Sequence, residues 1–580
     1  MFKRNKNKII ELILLITIPS FVFLLATGGR IISPYYTYWI SQVYSSDIQQ
    51  HWLCWLYFSH TPLFQFPLFD NPNYGTNFSS SLAANDAIPI FALLFKILNP
   101  LFTEKIQYFG IWVLSCLLLQ FFFAKKILDL FIPEKSTSFI LSCFFIIAPM
   151  LFHRIDLGHM GMFGHWVILA SLYFILKDEM KYWVWLLLIL IGLLTTPYMG
   201  VIILGMYVFK EIYISIKNTA HWRPVDLLFL EWARIVATVV IFFVLLIVIG
   251  HDVNTSNYFT GGFGNYRFNL NSFFDPASTN WPIGSENSGV HNWSILLPDL
   301  KGNSLNTSGD YEGFSFLGLG VVVLAIYSIF IIIKNPKIVL NQNIVPLVLL
   351  GLVFLLYSLS TKIIFNETEL FSYHIYFFQD KIFESIRASG RFIWPTYYLL
   401  YIGIFILSYK NIKRNYFRFL IIFLLILQIY DSSNMFKYIK SQLNDYSKTS
   451  QINSSYYMKS DYWAEFSKKY KKIRLIPPDG YTSNIFFEVT LYGAENNIPI
   501  DSAYLARYDM RKAKKLREEA FTNLEKNNLE EDSLYFFVYY KNPELDVKTD
   551  EAWSSLRKNK LDFVDQLDGF RIYAPNFFQD

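Results

Sequence analysis

The chain has 580 residues, of which 53% are hydrophobic, 19% aromatic and only 17% charged, and its net charge is +5. A typical soluble domain carries about 25% charged residues, so this composition excludes a purely soluble enzyme, a disordered chain and a disulfide scaffold. The small net charge, without basic runs that alternate with aromatic residues, also excludes a nucleic-acid-binding protein. The last 150 positions hold 45 charged residues and the first 430 hold 52, which indicates a membrane region followed by one soluble domain.

Apolar runs recur along the first 430 residues. A helix needs about 20 apolar residues to cross a bilayer, and runs approaching this length predict eleven transmembrane helices. The first run follows four basic residues but lacks a small-residue cleavage site, so it predicts an uncleaved anchor. The eleven predicted spans are 12–27, 108–123, 138–151, 163–176, 182–195, 197–209, 231–250, 314–333, 344–360, 392–408 and 419–430.

Lysine and arginine divide unequally between the two sides of these spans. With the N-terminus in the cytoplasm, the inner connectors hold 18 Lys and Arg in 71 residues, and the outer segments hold 10 in 185. This asymmetry follows the positive-inside rule. It predicts a membrane domain, residues 1–430, with long outer loops at 28–107, 251–313 and 361–391. Residues 431–580 are then an extracytoplasmic domain.

The first outer loop carries two acidic residues at the start of apolar segments. Between Asp47 and Phe58, apolar and aromatic residues recur at helical spacing, which predicts an amphipathic helix along the membrane interface. Asp47 opens this helix, either as an N-cap or as a catalytic base that partial desolvation makes more basic. Asp86 precedes a second apolar stretch, and the same two interpretations apply to it.

Histidines concentrate near the end of the third predicted span. His159 and His165 can donate hydrogen bonds to a phosphate or a sugar hydroxyl, or they can pack within the membrane domain. A gap of six residues does not place two histidines on one helix face, so the spacing does not favour a zinc site.

Arginine is scarce on the outer side of the membrane domain. Arg267 follows Tyr266 in the second long loop, after a glycine-rich stretch. Arg387 and Arg391 are four residues apart, immediately before the tenth predicted span. If this segment is helical, both guanidinium groups lie on one side at the depth of a lipid phosphate, which arginine binds well. The alternative is that both residues anchor the helix end at the interface.

The C-terminal region has ordinary soluble composition. Alternating apolar residues predict strands at 472–476, 534–540 and 570–573, and a charged amphipathic helix is predicted around 503–526. This mixture indicates an α/β domain.

An ordered set of segments in the first 430 residues resembles a known superfamily. The set resembles an uncharacterised bacterial membrane family of GT-C type, and GT-C proteins are integral-membrane glycosyltransferases that take sugars from polyprenyl phosphates. The resemblance spans most of residues 10–430. Its segments are Asp47–Trp55, Asn85–Lys96, Tyr108–Trp112, Gly264–Leu270, Tyr311–Gly320 and Arg387–Pro395.

The GT-C resemblance implies an inverting glycosyltransferase in the bacterial plasma membrane. Its donor would be a polyprenyl-phosphate sugar in the membrane lipid, and its acceptor an envelope glycan or glycolipid. Asp47 is the implied catalytic base, with Asp86 as the second acid. Many members carry two adjacent acidic residues, whereas Ile48 follows Asp47 in this chain.

The implied reaction assigns the remaining candidate residues. Arg267, Arg387 and Arg391 would bind the donor phosphate, because a departing phosphate needs fixed positive charge. The residues expected to bind substrate are His51, His159, His165 and Tyr266. Arginine alone neutralises a monophosphate, so no metal site is predicted, no cofactor is required, and a Mg or Mn ion is optional.

Two other functions remain open at this point. A lipid or glycan flippase or transporter needs polar groups within its spans, and charged residues are nearly absent there. A non-catalytic envelope assembly factor would use its outer domain to bind a partner. The sequence leaves the oligomeric state, the sugar and the acceptor undetermined.

Overall fold

Apolar helices make up most of the chain. The computed structural model describes residues 2–42, 46–177, 181–219, 225–251, 262–279, 290–300, 309–374, 386–444, 451–556 and 559–579. Parts of the predicted outer loops 28–107, 251–313 and 361–391 therefore lie outside the described residues. The helices are α1 Phe2–Thr27, α2 Tyr38–Gln42, α3 Ser46–Ser59, α4 Pro89–Leu98, α5 Phe109–Leu128, α6 Lys135–Ile146, α7 Pro149–Asp156, α8 Trp166–Lys177, α9 Tyr182–Thr195, α10 Pro197–Thr219, α11 Val225–Val248, α12 Leu319–Lys334, α13 Val345–Leu359, α14 Trp394–Asn411, α15 Arg414–Asp431, α16 Ser433–Leu443, α17 Tyr462–Lys469, α18 Phe486–Glu495, α19 Met510–Glu525 and α20 Pro543–Ser555.

Several helical segments have the length and composition of membrane spans. Within the described residues, seven qualify, and a pair bent by 47° adds an eighth if it is one span. Three other predicted spans coincide with the shorter apolar helices α9, α12 and α13. The mostly helical class is confirmed, and several long apolar helices indicate a membrane protein. The seven segments are Lys8–Thr27, Phe109–Leu128, Lys135–Asp156, Met160–Lys177, Pro197–Lys217, Phe229–Val248 and Ser389–Asn411; the bent pair is Arg414–Asp431 with Ser433–Leu443.

Two compact units share the chain, and neither is one continuous segment. The first, which we call the helical unit, comprises Met1–Pro34, Tyr108–Phe243 and Gly261–Tyr446. The second, which we call the mixed unit, comprises Tyr35–Gln107, Val244–Thr260 and Ser447–Asp580. Most of the predicted first outer loop therefore folds together with the C-terminal region.

The mixed unit contains a four-stranded sheet. Its order is β5-β6-β8-β7, with β5 parallel to β6 and the other pairs antiparallel. The three predicted strands and the predicted helix are confirmed as β5, β6, β8 and α19, so the C-terminal region is α/β. The two other sheets are hairpins of the helical unit. The strands are β1 Ala277–Thr279, β2 Val290–Asn292, β3 Lys362–Phe365, β4 Thr368–Ser372, β5 Lys472–Ile476, β6 Ser533–Phe537, β7 Phe563–Leu567 and β8 Phe570–Ala574.

Helix α3 confirms the amphipathic helix predicted after Asp47, but its apolar face packs against protein. Trp52 and Trp55 are at most 1% exposed, and both indole N–H groups donate to the carbonyl of Ile106 at 3.1 Å. The Trp52 ring also stacks on Phe487 of α18, with 6.4 Å between ring centroids. The mixed unit therefore covers this face, which the sequence analysis assigned to the membrane interface.

Helix α5 begins against the backbone of the turn that follows α1. Gly110 lies so close to this turn that a Cβ atom would stand 1.8 Å from the carbonyl oxygen of Ile31. Gly403 in α14 is a contrasting helical glycine, because a Cβ atom there would meet nothing within 4 Å. Close packing therefore requires glycine at position 110 but not at position 403.

We expect Gly110→Ala to lower the melting temperature of the detergent-solubilised protein. Forcing an extra carbon into a filled space costs about 1–3 kcal/mol. The matched Gly403→Ala variant should melt at or above the wild-type temperature, because alanine favours a helix by about 1 kcal/mol over glycine. Equal melting temperatures for the two variants would contradict the close contact at Gly110.

Candidate functional site

Asp47 lies in a polar cluster inside the mixed unit. The Tyr504 hydroxyl donates to Asp47 Oδ1 at 3.1 Å. Gln50 Nε2, one turn along α3, donates to the Asn85 side-chain oxygen and to the Tyr504 carbonyl oxygen. Asn85 immediately precedes Asp86, and both Asp47 and Asp86 are partly exposed. The structure thus connects the helix that bears Asp47, the segment that bears Asp86 and the C-terminal region.

Two other side chains of α3 are buried. His51, which the sequence analysis assigned to substrate binding, is only 3% exposed. Cys54 is fully buried, and its carbonyl oxygen accepts a hydrogen bond of 2.9 Å from Asn71 Nδ2. Burial raises the pKa of the Cys54 thiol to about 12, so this thiol stays protonated at neutral pH. Cys54 therefore packs within the unit and does not provide a nucleophile.

A second cluster, in the helical unit, is built on Glu312. The Glu312 carboxylate accepts from Arg154 Nη1 at 2.8 Å and from Arg391 Nε at 2.8 Å, with a further bond from Arg391 Nη2. Arg154 also donates to the Glu312 carbonyl oxygen at 2.7 Å. Burial disfavours ionisation of Glu312, but the two guanidinium groups outweigh it and hold the pKa of this carboxyl well below its usual range. One carboxylate therefore joins two buried cations.

Arg267 belongs to the same cluster through a second carboxylate. Its Nη2 atom lies 3.5 Å from Asp310 Oδ1, and Asn269 donates to the other Asp310 oxygen at 2.6 Å. Arg267 is 2% exposed. The sequence analysis expected Arg267 to bind a phosphate, and the structure gives it an acidic partner within the protein.

Two glycines let the three segments of this cluster touch. A Cβ atom on Gly390 would lie 2.8 Å from both the Arg267 backbone and the Gly313 Cα atom. A Cβ atom on Gly313 would lie 2.4 Å from the Arg267 carbonyl oxygen. The Gly390 N–H donates to the Tyr266 carbonyl oxygen at 2.9 Å. The backbones of the segments around residues 267, 312 and 390 therefore touch one another.

Arg387 is the partly exposed cation of the cluster. Its guanidinium group lies 5.4 Å from the ring centroid of Tyr266, and Arg391 lies 4.3 Å from the ring of Tyr198. The structure does not support the helical spacing expected for Arg387 and Arg391, because Ser389–Ile393 is a 3₁₀-helix and α14 begins only at Trp394. The two arginines still approach the same region, through the glycine contact instead of an α-helical turn.

The candidate histidines of the helical unit have different environments. His165 is fully buried; its Nδ1 atom is 3.0 Å from the Tyr398 hydroxyl, and its ring is 4.3 Å from Trp394. His159 is partly exposed, directly before the 3₁₀-helix Met160–Phe163. Packing, which was one of the two interpretations, describes His165 better than an exposed substrate contact.

The residues that connect the candidates were not predicted from the sequence. Glu312 was the available signal, because a carboxylate just before an apolar span requires a partner. Gln50 and Tyr504 carried no comparable signal, since uncharged polar residues are common on protein surfaces. Within the part of the chain that the structure describes, no three His, Cys, Asp or Glu side chains are grouped to hold a metal ion.

Comparison with known proteins identifies the family. A family model described as a domain of unknown function, DUF6311, matches residues 16–433. A second model, described as the DUF6311 C-terminal domain, matches residues 462–575. The first match covers well over half of the chain, so the chain belongs to the DUF6311 family. No curated protein matches it.

We expect Glu312→Gln to destabilise the protein strongly. Removing one charge from a buried ion cluster costs about 3–5 kcal/mol, because it leaves the arginines without compensation. Thermal unfolding in detergent measures this effect, and Glu367→Gln, in the turn between β3 and β4, is the control. A melting temperature for Glu312→Gln equal to that of the control would contradict the role of Glu312.

The same cluster predicts a dependence on pH. The pKa of folded Glu312 lies below its ordinary value of 4.5, so its contribution to stability is fully present above that value and decreases as the pH falls below it. The wild-type melting temperature should therefore fall on acidification below about pH 4.5 by more than that of Glu312→Gln. Parallel pH curves would show that Glu312 contributes nothing to the acid sensitivity.

Proposed function

We propose that this member of the DUF6311 family is an inverting glycosyltransferase of GT-C type. It moves a sugar from a polyprenyl-phosphate donor to an envelope glycan or glycolipid on the extracytoplasmic side of a bacterial plasma membrane. The proposal includes eleven crossings, a cytoplasmic N-terminus and an extracytoplasmic C-terminal domain. The apolar helices support it, because a polyprenyl donor is dissolved in the bilayer.

The observation that carries the proposal is the group of arginines around Glu312. Four arginines, at positions 154, 267, 387 and 391, gather there, and Glu312 and Asp310 are among their acidic partners. A group of arginines attracts the negative charge of a phosphate ester, and arginine binds phosphate with bidentate geometry.

The proposal keeps Asp47 as the catalytic base, the role that the GT-C resemblance implies. In the proposed step, an acceptor hydroxyl transfers its proton to the Asp47 carboxylate, and the hydroxyl oxygen attacks the anomeric carbon from the side opposite the phosphate. The bond from carbon to phosphate oxygen breaks, and the electron pair leaves with the lipid phosphate. Fixed guanidinium groups stabilise the charge that develops on this leaving group.

Arg387, whose side chain is partly exposed, is the arginine assigned to direct phosphate contact, and Arg154, Arg267 and Arg391 are bound to internal carboxylates. A Mg or Mn ion remains optional, because the arginines alone can neutralise a monophosphate.

We expect Asp47→Asn to abolish sugar transfer in membranes supplied with radiolabelled polyprenyl-phosphate sugars. Loss of a general base lowers turnover by about 10²- to 10⁴-fold, while donor binding should persist. Asp461→Asn, an exposed acid in the same unit, is the control and should retain turnover. Full transfer by Asp47→Asn would remove Asp47 as the base.

We expect Arg387→Ala to weaken binding of the polyprenyl-phosphate sugar by about 10- to 150-fold, the effect of losing one charge-assisted contact of about 1.5–3 kcal/mol. Binding to protein in nanodiscs measures the loss. Arg414→Ala removes an arginine whose side chain is 74% exposed and is the matched control. Equal binding by the two variants would contradict the phosphate role, and binding without any transfer would favour a transporter.

A further inference from the structure

The mixed unit has an edge that suits a ligand. Strands β5 and β6 are parallel, so both carboxyl ends meet at the same edge of the sheet, where α/β proteins bind ligands. The loops that follow the strands are tied together: the Asn484 N–H donates to the Tyr539 carbonyl oxygen at 2.9 Å, and the Tyr539 N–H donates to Asn484 Oδ1 at 3.0 Å. These hydrogen bonds hold the two loops in a fixed position relative to each other.

An exposed aromatic ring lies at this edge, and it contacts a second tyrosine that is hydrogen-bonded to Asp47. Tyr481, in the loop after β5, is 49% exposed. Its ring meets the ring of Tyr504 edge to face, with 5.6 Å between centroids and 89° between planes. The Tyr504 hydroxyl in turn donates to Asp47 at 3.1 Å. An aromatic surface therefore leads from solvent to the candidate base.

Tyr504 is held firmly in this position. Its carbonyl oxygen accepts from Gln50 Nε2, and its N–H donates to the Tyr74 hydroxyl at 3.3 Å. Tyr74 is fully buried and Gln50 is 5% exposed, so both contacts belong to the interior of the unit. Because these bonds fix the backbone of Tyr504, the pair of rings is organised before any ligand arrives.

We propose that Tyr481 and Tyr504 form a binding platform for one pyranose ring of a neutral acceptor glycan. The apolar C–H face of a pyranose packs on aromatic rings, and its hydroxyl groups need polar partners nearby, which is the usual composition of a small-ligand site. Asp47 accepts from a sugar hydroxyl at the end of this platform. The same carboxylate disfavours an anionic sugar by repulsion.

This inference rests on the proposed function, since it identifies the acceptor of that reaction. It assigns a task to the C-terminal region, whose residues 481 and 504 supply both rings. The base and the acceptor platform then belong to one unit.

Saturation-transfer NMR on the full chain in detergent micelles tests the platform, with neutral glucose, galactose and mannose tetrasaccharides as probes. We expect transfer to the pyranose protons of at least one probe in the wild type and in Tyr481→Trp, and about tenfold weaker binding in Tyr481→Ala. The matched control is Tyr456→Ala, which removes another tyrosine of the mixed unit that is 51% exposed and packs on neighbouring tyrosine rings. Its binding should equal that of the wild type.

The outcomes separate this inference from the proposed function. Equal binding by the wild type and Tyr481→Ala, or no binding of any tetrasaccharide, overturns the platform even if sugar transfer depends on Asp47. Binding that requires Tyr481 supports the platform even if no polyprenyl donor gives transfer. A uniform loss of binding in the Tyr481→Ala and Tyr456→Ala variants also overturns it, since both would then act through general stability.

Discussion

The helical unit depends on one carboxylate shared by two buried arginines. Arg154 and Arg391 could not remain in an apolar interior without compensating charge, and Glu312 accepts hydrogen bonds from both. These hydrogen bonds join three chain segments, around residues 154, 312 and 391, that are distant in sequence. The glycines at 313 and 390 allow the backbones to approach closely enough for these bonds.

The mixed unit has a different organising constraint, the need of α3 to bury its apolar face. Protein covers Trp52 and Trp55: both indoles donate to the Ile106 carbonyl, and the Trp52 ring packs on helix α18. Their burial draws the first long loop and the C-terminal region into one unit. Asp47 and Gln50, on the polar side of the same helix, then meet Tyr504. The polar cluster is thus a consequence of how the tryptophans are buried.

Hydropathy predicted the helices well because the length of an apolar run is a local property. It predicted α3 as a helix for the same reason, from the spacing of its apolar residues. Hydropathy placed the apolar face of α3 against the membrane interface, whereas protein covers it, since an apolar face fits either lipid or protein. The spacing of Arg387 and Arg391 was misleading in a related way: Trp394 begins the helix after the arginines, and a glycine contact brings the 390 segment to Arg267.

The sequence by itself determined the mostly helical class, the α/β character of the C-terminal region, and the list of scarce acidic and basic residues. These follow from composition and from patterns within about twenty residues. Only the tertiary structure decided that Glu312 pairs with both Arg154 and Arg391, that Tyr504 contacts Asp47, and that His51 and His165 are buried. Those pairings join residues as far apart as 47 and 504. Long-range packing selects them, and no local pattern in the chain encodes it.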